Sequence, residues 1–448
     1  VYYTPAPEDS LLSLLLVLST ALASGGDGAA GLESADSGGS GRVLALMMMV
    51  GLAYLLAKFV VNRLQRRFLF VSGMEYILLG LLLGPAMANT LTVFEDLGRL
   101  APIIAFAAGW IGLLYGMELD LRTLLVESPG PALRLASAEV FGTGAATGIA
   151  AYAFFVSGAL IEPVASNDAW CAAAALACAA AAGSSSAVDL LSDTYEGLQS
   201  RLLPLLRHTS RVGDLIAIAG LGLLFAVFHQ PPSEHAMFNT NPSSWILSTV
   251  VVGVGLGLLF SAFLDNDADE NHRFLALVGI IILAAGTSFF LEISALTVNL
   301  LLGAYLVNTA DGPKVAQTLH SSLKPVTLVL MVFAGAMLVP IDPVAGLVVS
   351  VGYFVLRGLA KALVIFLATL GTPLRRDIFR GLMAQGEAAV AIAVSFRLVY
   401  DGQAAQLAYT AILVSVILNE LMAPRLLKGL LIDAGELDSD ATAWGAST

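Results

Sequence analysis

Apolar runs recur thirteen times along the chain, at 43–61, 68–88, 97–118, 132–157, 169–188, 202–228, 245–264, 274–291, 293–309, 325–340, 344–370, 381–400 and 407–427. A helix needs about 20 such residues to cross the hydrocarbon core of a bilayer. Within that core every backbone N–H and C=O has to be paired by protein, which leaves helices or closed barrels. The pattern predicts an all-α polytopic membrane protein with about 13 transmembrane helices. Composition removes the soluble alternative. Only 12% of the residues are charged and 57% are hydrophobic, whereas a soluble domain carries about 25% charged residues. The net charge of -12 comes without any basic tract, so no nucleic-acid partner is expected. Cys171 and Cys178 lie seven apart. On one helix that is about 10 Å, beyond disulfide reach. No CxxC or HExxH spacing occurs, so neither a metal enzyme nor a cofactor is indicated.

The chain divides into three parts. Residues 1–42 hold a short apolar run, Leu11 to Ala23, and a Gly/Ser-rich linker. The run reads equally as a signal-peptide core closing on Ala21-Leu22-Ala23 or as an extra short helix. Residues 43–427 form the membrane domain, and 428–448 a short acidic tail. Basic residues orient the spans. With Arg63, Arg66 and Arg67 placed inside, sixteen of the 22 Lys and Arg fall at inside ends, and only Arg42 and Arg99 fall outside. This predicts a multi-pass protein of the cell (inner) membrane with its N-terminal segment outside and its C-terminus cytoplasmic.

Small residues interrupt two spans, at Gly183-Ser184-Ser185-Ser186 and at Phe333-Ala334-Gly335-Ala336 before Pro340. Either could simply let helices approach closely. Each, however, precedes a span with an internal charge: Asp214 after the first, Arg357 after the second. A break followed by a charged helix, occurring twice, predicts inverted repeats with two broken crossing helices, the plan of a secondary transporter.

A charge inside a span costs roughly 2.5–3.5 kcal/mol on insertion scales, so it needs a partner or a task. A desolvated carboxylate at Asp214 holds a proton or a monovalent cation, but not both, which is the minimum chemistry of cation–proton exchange. Arg357 stays protonated under any burial and balances a carboxylate when no ion is bound. Lys361, one turn on, reads as a snorkelling residue. Arg207 and Arg211 share a helix face with Asp214 at i, i+4, i+7. Both would repel a cation unless they pair with Asp189 or Asp193. His208 is a candidate pH sensor or a cavity-wall histidine. Glu139 and Glu387 read as hydrogen-bonding groups that lock helices, and Glu118 and Glu420 also lie in or near spans.

Several stretches, in order, carry a resemblance. They are Gly80-Leu81-Leu82-Leu83-Gly84-Pro85, Gly116-Met117-Glu118-Leu119-Asp120, Ser184-Ser185-Ser186-Ala187, Gly303-Ala304-Tyr305-Leu306 and Gln385-Gly386-Glu387-Ala388. Together the chain, over roughly 43–427, resembles the monovalent cation–proton antiporters of the sodium/hydrogen exchanger fold, nearest the bacterial potassium-efflux-type branch. The Ser184–Ala187 stretch is similar to the family's Ser-Ser-Thr-Ala crossover. The resemblance implies that Asp214 is the ion- and proton-binding carboxylate and that Arg357 is the basic residue of the opposing repeat. It also implies a homodimer. Two departures stand out. Gly213 replaces the polar residue that usually precedes the Asp, which points to electroneutral exchange, and Asp189 stands where an aliphatic residue is usual.

These readings converge on a secondary antiporter that exchanges Na+ or K+ for H+ across the lipid bilayer, with Asp214 and Ser184, Ser185 and Ser186 at the site and Arg357 balancing charge. Asp189, Arg207, His208, Arg211, Glu387 and Glu139 are auxiliary candidates. No metal beyond the monovalent cation is expected. Arg207 and Arg211 also support two alternatives: a transport-inactive subunit or sensor in a larger complex with a further membrane or regulatory subunit, or an anion pathway.

Overall fold

A computed structural model of the chain describes residues 73–84, 97–120, 130–158, 163–195, 198, 200–229, 241–263, 270–310, 312–320, 322–339 and 343–438. They belong to one unit, residues 54–448. The 1–42 segment, the 43–61 span with Arg63, Arg66 and Arg67, and most of the 229–244 loop lie outside the described residues.

Every regular element among the described residues is helical. In chain order the helices are α1 (Met74–Leu83), α2 (Leu97–Met117), α3 (Gly130–Ala138), α4 (Gly144–Ser157), α5 (Ser166–Ala181), α6 (Ser186–Thr194), α7 (Leu202–Val227) and α8 (Pro242–Phe263). They continue as α9 (Glu270–Phe290), α10 (Ala295–Val307), α11 (Gly312–His320), α12 (Leu323–Ala336), α13 (Pro343–Thr369), α14 (Glu387–Val399) and α15 (Gln403–Asp433). A π-helical turn, Glu139–Thr143, joins α3 to α4, and a 3-10 turn, Ile378–Gly381, precedes α14. Among the described residues eight stretches are long and apolar enough to cross a membrane, two of them, Ala132–Ser157 and Ser166–Thr194, running across helix junctions. The last helix runs on to Asp433, so the acidic tail begins as part of the fold, with Glu436 accepting from Ser200 Oγ and the Arg201 N–H.

Two helices stop short. α5 ends at Ala181, α6 starts at Ser186, and the residues between are non-helical. α14 starts at Glu387 after a non-helical stretch, 383–386, that follows the 3-10 turn. α5 and α14 pack on each other, with α15 against both and α7 against α5. Alanine makes this possible: it is the strongest helix former and its side chain ends at Cβ. Ala172, Ala173, Ala175, Ala179 and Ala180 of α5 are at most 1% exposed.

The second break is therefore at 382–386, not at 333–337. Phe333 to Ala336 is regular helix, the end of α12. Its small residues form a packing seam. A Cβ on Gly335 would come within 1.9 Å of the Ile77 carbonyl oxygen, and one on Gly80 within 1.9 Å of that of Val332. α1 and α12 touch backbone to backbone through these glycines, the close approach that small residues allow in membrane helices.

Candidate ion site at the helix crossing

The breaks meet directly. The Gly386 N–H donates to the Gly183 carbonyl at 3.3 Å, and Gln385 Nε2 donates to the Ala179 carbonyl at 2.7 Å. Interrupting a helix leaves carbonyls at one end and N–H groups at the other without partners. In hydrocarbon these must be met by protein, and α13 meets many of the carbonyls. Tyr353, Arg357 and Lys361 lie four residues apart, on one helix face. The Tyr353 hydroxyl donates to the Leu176 carbonyl at 3.0 Å. Arg357, wholly buried, donates to Ala180 (3.1 Å) and Ala182 (3.0 Å) of the first break and to Met383 (3.0 Å) and Ala384 (3.4 Å) of the second. Its charge also sits at the carbonyl end of α5, where the helix dipole favours a cation.

Arg357 thus makes no ion pair with Asp214 among the described residues; its donors go to backbone oxygens of both breaks. Lys361 is not a snorkelling residue either. It is fully buried, pairs with Glu139 at 2.5 Å and donates to the Leu382 carbonyl at 2.8 Å. The π-turn that begins at Glu139 lies against α13; such turns often mark functional positions.

Asp214 sits within α7, only 3% exposed, and its Oδ1 accepts the Gly183 N–H at 2.8 Å. No basic side chain pairs with it among the described residues. The cations on its own helix are engaged elsewhere: Arg207 with Asp189 at 2.6 Å, and Arg211 with Glu118 at 3.6 Å. Of the two carboxylates weighed for Arg207 and Arg211, Asp189 takes Arg207, while Arg211 finds Glu118, a helix away. None of the three serine hydroxyls hydrogen-bonds Asp214 among the described residues. Ser185 Oγ donates to Asp189 Oδ2 at 2.9 Å, and Ser186 Oγ donates to Glu420 at 3.1 Å. Glu387 opens α14 and contacts the Tyr115 hydroxyl. His208 is half-buried on α7.

Lys361, Glu420, Gln385 and Tyr353 are parts of this site that sequence reasoning did not place there. Lys361 and Glu420 carried a signal, a charge inside an apolar span. Gln385 opened one of the resembling stretches, and Tyr353 carried no signal apart from spacing.

Two interrupted helices that cross through their open backbone define a secondary transporter. The family model for the sodium/hydrogen exchanger transmembrane domain matches residues 50–429, and the chain belongs to that family of cation–proton antiporters. It is a transporter rather than an enzyme. Among solved structures it is similar in fold to the sodium proton antiporter MjNhaP1 from Methanocaldococcus jannaschii at pH 8. The TM-score is 0.56 at 16% identity, covering 85% of this chain and 99% of that one. No curated protein matches.

Proposed function

We propose that the protein exchanges one monovalent cation, Na+ or K+, for one H+ at Asp214, in the cell membrane and as a homodimer. The observation that carries this is a carboxylate 3% exposed, held at the crossing by one backbone N–H, with no basic partner among the described residues. An ionised, empty carboxylate at that depth is costly. The cheap states carry a proton or a metal cation, so a site that moves only when loaded exchanges the two and does not leak. Rocking of the bundle around the crossing would open the site to each side in turn.

Neighbouring charges support a one-for-one count. Gly213 supplies no second titrating group beside Asp214. Glu118 is engaged by Arg211, Glu139 by Lys361, Glu387 by the Tyr115 hydroxyl and Glu420 by Ser186. The serines serve through the backbone of their break, since two of their hydroxyls are held by Asp189 and Glu420. Arg207 and Arg211, which motivated an anion pathway, each face a carboxylate, so cation exchange is the better supported reading. The Lys/Arg asymmetry puts the C-terminus in the cytoplasm; Ser233→Cys should then label from outside without permeabilisation.

The test is vesicle transport with a pH reporter. Wild type should move protons when Na+ or K+ is added, without dependence on an imposed voltage. Asp214→Asn, which keeps the shape and loses the titrating charge, should not. Wild-type exchange by Asp214→Asn would overturn the site, and voltage-dependent turnover would overturn the stoichiometry.

A further inference from the structure

Glu420 takes no part in the exchange chemistry above, yet it is a carboxylate 5% exposed within α15. The charged side chains that face it are Glu387, Arg357 and Glu75, and none of them pairs with it among the described residues. What it holds is Ser186, whose hydroxyl lies 3.1 and 3.2 Å from its two oxygens. Ser186 Oγ in turn accepts from Ser184 Oγ at 2.7 Å, and the Ser186 N–H donates back to Ser184 Oγ at 3.1 Å. Ser184 follows Gly183, whose N–H is the donor to Asp214.

The second break presses on the same group. A Cβ on Gly386 would lie 2.5 Å from Ser184 Oγ and 3.5 Å from Glu420 Oε1. One turn along α15, Ser415 donates to Gln385 Oε1 at 2.9 Å, and Asn419 donates to it at 3.1 Å. So α15 grips both breaks, the second through Ser415 and Asn419 and the first through the Glu420 carboxyl group. An open stretch of backbone has no helix of its own to fix it, so side chains have to.

We propose that Glu420 is a positioning residue of the exchange site: acting through Ser186 and Ser184, it fixes the 182–186 break and so aims the Gly183 N–H at Asp214. This rests on the assignment of Asp214 as the exchange site. Loosening the strut misaligns the groups that receive the cation before any movement occurs, so the loss falls on binding and not on turnover.

The experiment measures the cation KM and the maximal exchange rate separately in vesicles, for wild type, Glu420→Gln, Ser186→Ala, Ser186→Thr and Asp214→Asn. Glu420→Gln and Ser186→Ala should each raise KM about fivefold, with the maximal rate little changed, as expected when a hydrogen bond that serves binding is weakened or lost. Ser186→Thr, which keeps the hydroxyl, should restore the wild-type KM. A wild-type KM in Ser186→Ala overturns the proposal even if Glu420→Gln is weakened, because the effect would then not run through Ser186. If Glu420→Gln does not assemble, the Ala and Thr variants at 186 decide. Failure of Ser186→Ala to assemble also overturns it, since the strut would then hold the fold and not the site. Asp214→Asn that exchanges like wild type sinks the site assignment itself, a result recognisable without any KM comparison.

Discussion

The two breaks of the crossing are built from opposite chemistry. The first, 182–185, is a Gly-Ser-Ser stretch set among carboxylates: Asp214 on its Gly183 N–H, Asp189 on Ser185, and Glu420 on Ser186 at its edge. The second, 382–386, holds no serine, and its carbonyls are met by cations, Lys361 at Leu382 and Arg357 at Met383 and Ala384. Arg357 spans both. One break thus gathers carboxyl groups, Asp214 among them with no basic partner among the described residues, while the other is strapped by basic side chains. A site that takes a cation needs the first arrangement. A joint that must not open needs the second.

Removing the strap should have the largest effect. Arg357→Ala leaves four buried carbonyls without their donor, and breaking a buried charged network typically costs about 3–5 kcal/mol. Thermal unfolding of the purified protein should fall accordingly. A loss below about 1 kcal/mol, the size of an ordinary hydrogen bond, would mean that the strap carries nothing.

Next comes Lys361→Met, which touches only the second break and leaves Glu139 buried without its pair. A loss of about 3 kcal/mol is expected, and most of it should return in the double variant with Glu139→Gln, which removes the stranded charge. If the double variant is no better than the single one, the pair is not what the two residues share.

Gly335→Ala separates packing seam from break. Its Cβ would meet the Ile77 carbonyl at 1.9 Å, and forcing α1 and α12 apart should cost about 1–3 kcal/mol. Unchanged melting would contradict the seam.

The smallest effect belongs to Gly213→Ala. Its Cβ would sit at an ordinary 3.7 Å from the Ala181 carbonyl oxygen. Replacing a helical glycine by alanine should therefore stabilise by at most about 1 kcal/mol and leave exchange intact. Gly213→Asp is the sharper companion: a second carboxylate beside Asp214 should make turnover depend on voltage.

Much of this was legible in the chain. Charges in apolar spans are rare enough to announce themselves, so Asp214 and Arg357 could be picked out directly. Gly183 to Ser186 announced the first break, because glycine and serine are poor helix formers. The second break gave no such sign. Leu382-Met383-Ala384-Gln385 reads as helix, and what keeps it open is the meeting with Gly183, some two hundred residues earlier, and with Arg357 and Lys361 on the preceding helix. Gly335 misled for a related reason: the same residue serves to open a helix or to let two helices touch, and only the neighbour, Ile77, decides between them. Lys361 looked able to reach the interface because its partner, Glu139, lies more than two hundred residues earlier. Glu420 was visible as a buried charge, but its tie to Ser186 was not. Pairs of this kind follow from topology, which periodicity does not carry.

The central claim is that Asp214 holds either a proton or the cation. Proton release tests it most directly, without vesicles or a gradient. Purified wild-type protein in weakly buffered detergent solution should release protons when Na+ or K+ is added, saturating near one per chain. Asp214→Asn, shown to be folded by its melting, should release none. Equal release from the two proteins would contradict the claim and place the exchanging carboxylate elsewhere.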